Sequence, residues 1–173
     1  MTDHETAGGL VAPDQDYQSQ LTLTASPEVV FAALTTTEGL AAWWTPVTGD
    51  GRAGGELTFS FGPASQAVMR VDAAECGVAV RWTNLACMIE DWIGTTVHFD
   101  MEPASAGGTE LRFRHGGLTP RLECYLDCKS GWDHFIPSLR AYVETGTGNP
   151  NGSQADRARR AVRAERRHSV GTS

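Results

Sequence analysis

No stretch of this 173-residue chain approaches the roughly 20 apolar residues that a membrane-spanning helix needs, so a helical membrane protein is excluded. The N-terminal Met1–Gly9 is polar and carries Asp3, His4 and Glu5, where a secretory signal would need positive charge followed by an apolar run. A cytoplasmic location is therefore expected. The chain also has no GxSxG, no HExxH and no phosphate-binding loop, so no strong enzymatic signature is present. The four cysteines, Cys76, Cys87, Cys124 and Cys128, contain no CxxC pair. Cys124 and Cys128 would share a face if helical, but a zinc site needs two more ligands at a familiar spacing. Buried free thiols are expected, with no metal and no cofactor.

Basic charge is scarce over residues 1–146, which hold eight Lys and Arg against nineteen Asp and Glu. From residue 147 onward the balance reverses, with six arginines against Asp156 and Glu165. An acidic body argues against nucleic acid wrapping around it, because phosphate contacts need a cationic surface. Only the Arg-rich tail could meet nucleic acid or an acidic partner, and such tails are commonly solvated and disordered. Residues 1–15 and 149–173 read as flexible ends, the second introduced by the breaker-rich Thr147–Ser153. Between them, residues 16–148 form one domain with enough chain for a real core.

Within that domain Leu21 and Leu23 alternate with polar residues as in a strand. Ser26-Pro27-Glu28 then supplies a cap, a preorganised first turn and an acid at the positive end of a helix predicted over Pro27–Leu34. A second short helix starts at Thr37-Glu38 and stops before Pro46. Five alternating segments follow, centred on Leu57–Phe61, Met69–Val71, Val78–Trp82, Val97–Met101 and Leu111–His115. They describe an antiparallel sheet with one apolar face. The cover for that face is a helix beginning at Thr119-Pro120, on which Tyr125, Cys128, Trp132, Phe135, Leu139 and Tyr142 recur every three or four residues up to Gly146. Gly131 lowers helix propensity there, and Pro137 should kink it. The class is α+β: a curved antiparallel sheet wrapped around a long C-terminal helix, with two short helices after the first strand.

The segments that carry a family resemblance run in order: Ser26–Phe31, Thr37–Leu40 with Trp43-Trp44, Gly54–Leu57, Trp92–Val97, Gly107–Leu111 with His115–Leu118, and Gly131–His134 with Ser138-Leu139. Together, over about residues 17–148, they resemble the bacterial branch of the activator of heat-shock protein 90 ATPase homologues. That family belongs to the START-like (SRPBCC) helix-grip superfamily, shared with lipid-transfer domains and the birch pollen allergen. The resemblance implies a hydrophobic cavity between the sheet and the C-terminal helix. It implies no particular chemistry, since the superfamily includes lipid carriers, polyketide cyclases and co-chaperone domains.

The candidate pocket residues are Phe59, Phe61, Met69, Val71, Trp82, Phe99, Met101 and Phe113 on the sheet. Trp132, Phe135, Leu139 and Tyr142 face them from the helix, and Trp43 and Trp44 close one end. These side chains can either fill a core or line a partly open site for a small apolar or amphipathic molecule. If Ala104–Gly108 closes a hairpin, Val97 opposes His115 and Phe99 opposes Phe113, so His98 points out and His115 in. Asp100 then opposes Arg112 as an exposed ion pair. His115 is the polar group aimed at the cavity and the weak candidate for acid–base catalysis in a cyclase-like enzyme. Glu90 and Asp91 read as solvated loop charges, and Asp133-His134 as a dyad only if a nucleophile joins them. A stress-response or co-chaperone interaction module is the remaining alternative.

Overall fold

The computed structural model describes residues 12–170, so the expectation for the first eleven residues lies outside the described part. β1 (Tyr17–Leu23) leads into α1 (Pro27–Thr35), where the Ser26 hydroxyl accepts from the Val29 amide as the Ser-Pro-Glu pattern requires. Thr36 ends α1 and caps α2 (Thr37–Trp43), its side chain accepting from the Gly39 amide. The Trp43 indole N–H donates to the Ala33 carbonyl at 2.8 Å and locks the two short helices together.

Six further strands follow: β2 (Val47–Gly49), β3 (Glu56–Ser60), β4 (Gln66–Glu75), β5 (Ala79–Cys87), β6 (Thr96–Pro103) and β7 (Thr109–Gly116). They form one antiparallel sheet with β1, in the order β1-β7-β6-β5-β4-β3-β2. The inward positions of the alternating segments are buried, as period-2 patterning demands, except Phe61, which is half-buried, and Val78. Register shifts at Val68/Met69 and Val71/Ala73 interrupt the β4–β5 ladder, and such irregularities bend a sheet. Val78 is the exception to the alternation: it sits in the β4–β5 turn, half exposed. The β6–β7 register is the one the parity argument gives, with Val97 opposite His115 and Asp100 opposite Arg112. The expected ion pair does not form, however. Asp100 pairs with Arg81 on β5 at 3.1 Å, and Arg112 lies 3.7 Å from Glu102.

The gripping helix α3 (Tyr125–Thr145) begins later than the sequence suggests. Thr119-Pro120 makes a turn instead, with the Leu122 amide bonded to the Thr119 carbonyl, the geometry in which Pro suits the second position. Tyr125, Cys128, Trp132, Phe135 and Leu139 are buried against the sheet, and Tyr142 is half-buried. The helix runs unbroken through Pro137, which lies on its exposed face, as does Asp133, whose carbonyl loses the bond. Gly146 ends it in the left-handed conformation, φ 87°.

Where a flexible end was expected beyond residue 148, the chain is pinned and helical. The Asn149 amide donates to Ser138 Oγ at 2.7 Å, and that hydroxyl donates to the Trp43 carbonyl at 2.7 Å. The Asn151 amide donates to the Trp44 carbonyl at 2.6 Å. Ser153 then starts α4 (Gln154–Val170): its hydroxyl accepts from the Asp156 amide, and the Asp156 carboxylate accepts from the Gly152 amide, a variant of the capping box in which the acid reaches one residue further back. Arg159 and Arg160 both pair with this fully buried carboxylate, at 2.7 and 3.1 Å. Arg163 and Arg167 pair with Asp127 of α3. The physical reason for the difference is that the arginines lie on one face of α4 and meet acids brought there by the fold. The alanines of α4 and Val162 are exposed, so charge and not apolar burial holds this helix.

Burial raises the Asp156 carboxyl, but the Gly152 amide and the two guanidiniums more than offset this and hold it below the usual carboxylate range. Asp156→Ala is therefore expected to speed amide exchange across residues 154–170 by about tenfold, roughly 1–2 kcal/mol of local opening, with sheet amides unaffected. Hydrogen-exchange mass spectrometry reads both. Equal protection in α4 of the variant and the parent would remove the anchoring role.

Candidate functional site

The centre of the space between sheet and helix is filled. Trp43, Phe59, Met69, Val71, Trp82, Phe99, Met101, Phe113 and Leu139 are all buried there. Their rings form one connected cluster, for example Trp82–Phe99 at 5.2 Å, Phe99–Phe113 at 5.1 Å and Phe113–Trp132 at 4.6 Å between centroids. Aromatic pairs at these separations contribute about 0.5–1.5 kcal/mol each beyond area burial. Those sheet residues build the core and do not border the pocket described below. Tyr142 packs at the edge of the same core.

Open space exists at one end. A pocket of about 180 Å³ lies between α3, the segment after β5 and the start of α4. Trp44 and Phe61 form its inner wall, and Met88, Ile89 and Trp92 one side. Asp127, Cys128, Gly131, Trp132 and Phe135 of α3 form the other, and Arg159 and Arg160 the mouth. Of the residues singled out in the sequence, Trp44, Phe61, Trp132 and Phe135 meet here. Sequence reasoning missed the rest. Cys128 and Gly131 could have been found from helical spacing with Trp132 and Phe135, and Trp92 from its place in a quoted segment. Nothing local marks Arg159 and Arg160, which only the return of α4 brings to the mouth.

A hydrogen-bonded network stands behind this pocket. The Trp132 indole N–H donates to His115 Nδ1 at 3.0 Å. An indole nitrogen can only donate, so Nδ1 accepts and the ring proton sits on Nε2, 2.8 Å from Thr95 Oγ1. Thr95 also accepts from Asn84 Nδ2 at 3.0 Å and donates to the Trp92 carbonyl at 2.6 Å. His115 has no exposed surface, and burial lowers its pKa to about 3. Both ring nitrogens are engaged and the ring stays neutral at ordinary pH. These two bonds tie the sheet to α3 and leave His115, the acid–base candidate, no free ring nitrogen in this arrangement. The Trp92 indole likewise donates to Cys128 Sγ at 3.1 Å, and burial raises that thiol's pKa, which favours its neutral form.

The remaining candidates separate. Asp133 accepts from the Tyr17 hydroxyl at 2.5 Å and from Lys129 at 2.6 Å, while His134 Nε2 lies 2.9 Å from the Asn149 carbonyl, so the two do not form a dyad. Glu90 and Asp91 are exposed, in a single 3₁₀ turn. The cysteines are free, but Cys76 is exposed and Cys87 and Cys124 only half-buried, so burial holds fully for Cys128 alone. Among the described residues, no three His, Cys, Asp or Glu side chains converge as a metal site would need, and no helix is long and apolar enough to cross a membrane.

Residues 24–144 match the family described as Activator of Hsp90 ATPase homolog 1-like protein. Among solved structures, the Aha1 dimer from Colwellia psychrerythraea is similar at 29% identity and a TM-score of 0.68, over 78% of this chain and 99% of that one. DynU16, from the dynemicin biosynthetic locus, aligns at 23% identity and a TM-score of 0.62, over 79% of this chain and 49% of its own. CalU16 from Micromonospora echinospora aligns at 17% and 0.63, over 91% and 89%. The last two likenesses bear on the fold alone. Comparison with curated proteins gives no match.

The state of His115 has a measurable consequence. The unfolded chain takes a proton on this ring below about pH 6.5, whereas the folded chain does not until about 3. His115 therefore leaves stability unchanged above pH 6.5 and lowers it as pH falls through that window, by about 1 kcal/mol per pH unit. Denaturant titrations at pH 7 and 5 should show this loss in the parent and a smaller one in His115→Gln. Identical pH slopes would contradict the buried neutral state.

Proposed function

We propose that this chain, which belongs to the Activator of Hsp90 ATPase homolog 1-like family, binds a small apolar or amphipathic molecule in the tryptophan-lined pocket beside α3. Membership of this family and the shared helix-grip frame support a ligand-binding reading of the fold. No chemistry on the ligand is needed for this reading, and the engaged nitrogens of His115 supply none.

Gly131 carries the proposal. It lies inside a 21-residue helix, where glycine is about 1 kcal/mol worse than alanine. Neither of the usual reasons for a glycine applies, since its φ is not positive and a Cβ built on it would meet no atom within 4 Å. It lines the pocket directly between Cys128 and Phe135. What a larger residue there would remove is the cavity itself. The size of that cavity sets the ligand: an engineered apolar cavity of about 150 Å³ holds benzene, so about 180 Å³ holds one ring or a short acyl chain. A long-chain lipid would have to leave most of its length outside. Burial of about 100 Å² of apolar ligand surface stabilises the complex by roughly 2–3 kcal/mol.

Gly131→Ala is expected to raise stability by up to about 1 kcal/mol. Gly131→Leu is expected to keep the fold while occupying the pocket. Thermal-shift screening of single-ring and short-chain compounds should find stabilisers of the parent that have no effect on Gly131→Leu. Compounds that stabilise both proteins alike would place the binding elsewhere.

A further inference from the structure

Resting on that pocket reading, we propose that the ligand carries an oxyanion head, a carboxylate in the simplest case, held at the mouth by Arg159 and Arg160. The apolar wall leaves few other places for a polar group. The indole N–H groups of Trp92 and Trp132 are already directed to Cys128 and His115, away from any ligand. The charged residues lining the pocket are Asp127, Arg159 and Arg160, all at the α4 side.

The charges at that side do not cancel. Four arginines, Arg159, Arg160, Arg163 and Arg167, share two carboxylates, each aspartate serving two guanidiniums. A carboxylate has enough lone pairs to accept from both partners, but it carries only one negative charge. Positive charge is therefore left over at the opening, on a protein that is acidic elsewhere. Donors are left over as well. Arg160 engages Asp156 through Nε and Asn151 through Nη2, while its side chain remains half exposed, so its Nη1 hydrogens are unclaimed among the described residues. Arg159 is fixed by Asp156, by Ser130 at 3.1 Å and by its position 5.6 Å above the Phe135 ring, and its Nε is sealed from solvent, so it contributes charge at the wall while Arg160 offers the reachable donors. Phe135 also lines the pocket, so this guanidinium stands where the apolar wall meets the mouth. Planar guanidiniums match the two oxygens of a carboxylate, and a cationic mouth over an apolar floor selects amphipathic anions against their neutral counterparts.

The test uses the full chain and its own fluorescence, since Trp44, Trp92 and Trp132 line the pocket. It compares 4-phenylbutyrate with 4-phenylbutanol, which share one ring and chain and differ in head charge. At low salt the acid is expected to bind about tenfold tighter, a gap that about 0.5 M salt largely closes. Arg160→Gln should close it too. Arg157→Gln, which removes the same charge from an exposed residue that lines no part of the pocket, should leave it open. Arg160→Lys keeps the charge and should retain part of the gap, which separates loss of charge from loosening of α4. Equal affinity for acid and alcohol would overturn the anionic head while leaving the pocket in place. A gap indifferent to Arg160→Gln would overturn its location at the mouth. Failure of both compounds to bind would overturn the pocket reading itself.

Discussion

The contact on which the rest of the architecture depends is the one between Trp132 and His115. A sheet with one apolar face is stable only when that face is covered, and α3 is the cover. Sliding a helix along an apolar surface changes little energy, because hydrophobic burial is not directional. A buried indole N–H and a buried imidazole each demand a partner, and 3.0 Å between them fixes where along the sheet the helix rests. Once that position is set, Phe113 and Trp44 close on the same indole at 4.6 and 5.0 Å, and Trp92 stacks parallel to it at 6.0 Å. Gly131, one residue before, then faces the space that these rings do not fill.

That arrangement separates the interior into a packed centre and an open end. The polar network His115–Thr95–Asn84 belongs to the packed centre and gives it a unique geometry. The open end is bounded by rings on three sides and by α4 on the fourth. Because α4 is attached through ion pairs to Asp156 and Asp127 and leaves its alanines exposed, its hold on the mouth is electrostatic. A charged group arriving at the mouth thus meets the same interactions that keep α4 in place.

The family and the similar structures share a frame with this chain, and a shared frame does not by itself assign a function. The Colwellia protein, DynU16 and CalU16 share the sheet and gripping helix with this chain. The family match covers residues 24–144, so α4 and the arginines at the mouth lie beyond the matched segment.

Six of the seven strands, the two short helices and the inward parity of His115 were legible in the sequence, because period-2 alternation, the Ser-Pro-Glu cap and hairpin register are local rules, whereas β2, Val47–Gly49, is too short to show a period. The start of α3 was misread because Pro120 suits a turn as well as a first helical position. The cap of Ser153 and Asp156 went unread, because the breaker-rich Thr147–Ser153 and the arginine content argued for disorder. What the sequence could not decide was which apolar side chains pack and which border open space. Phe59 and Phe61 carry the same pattern, yet Phe59 is sealed under Trp44 and Phe61 lines the pocket. Nor could it place Arg159 and Arg160 beside Phe135. Local sequence determines the period and the facing of each element. Cavities and charge clusters arise between elements distant along the chain, where packing volume and long-range ion pairing settle the outcome, and only the tertiary structure brings those together.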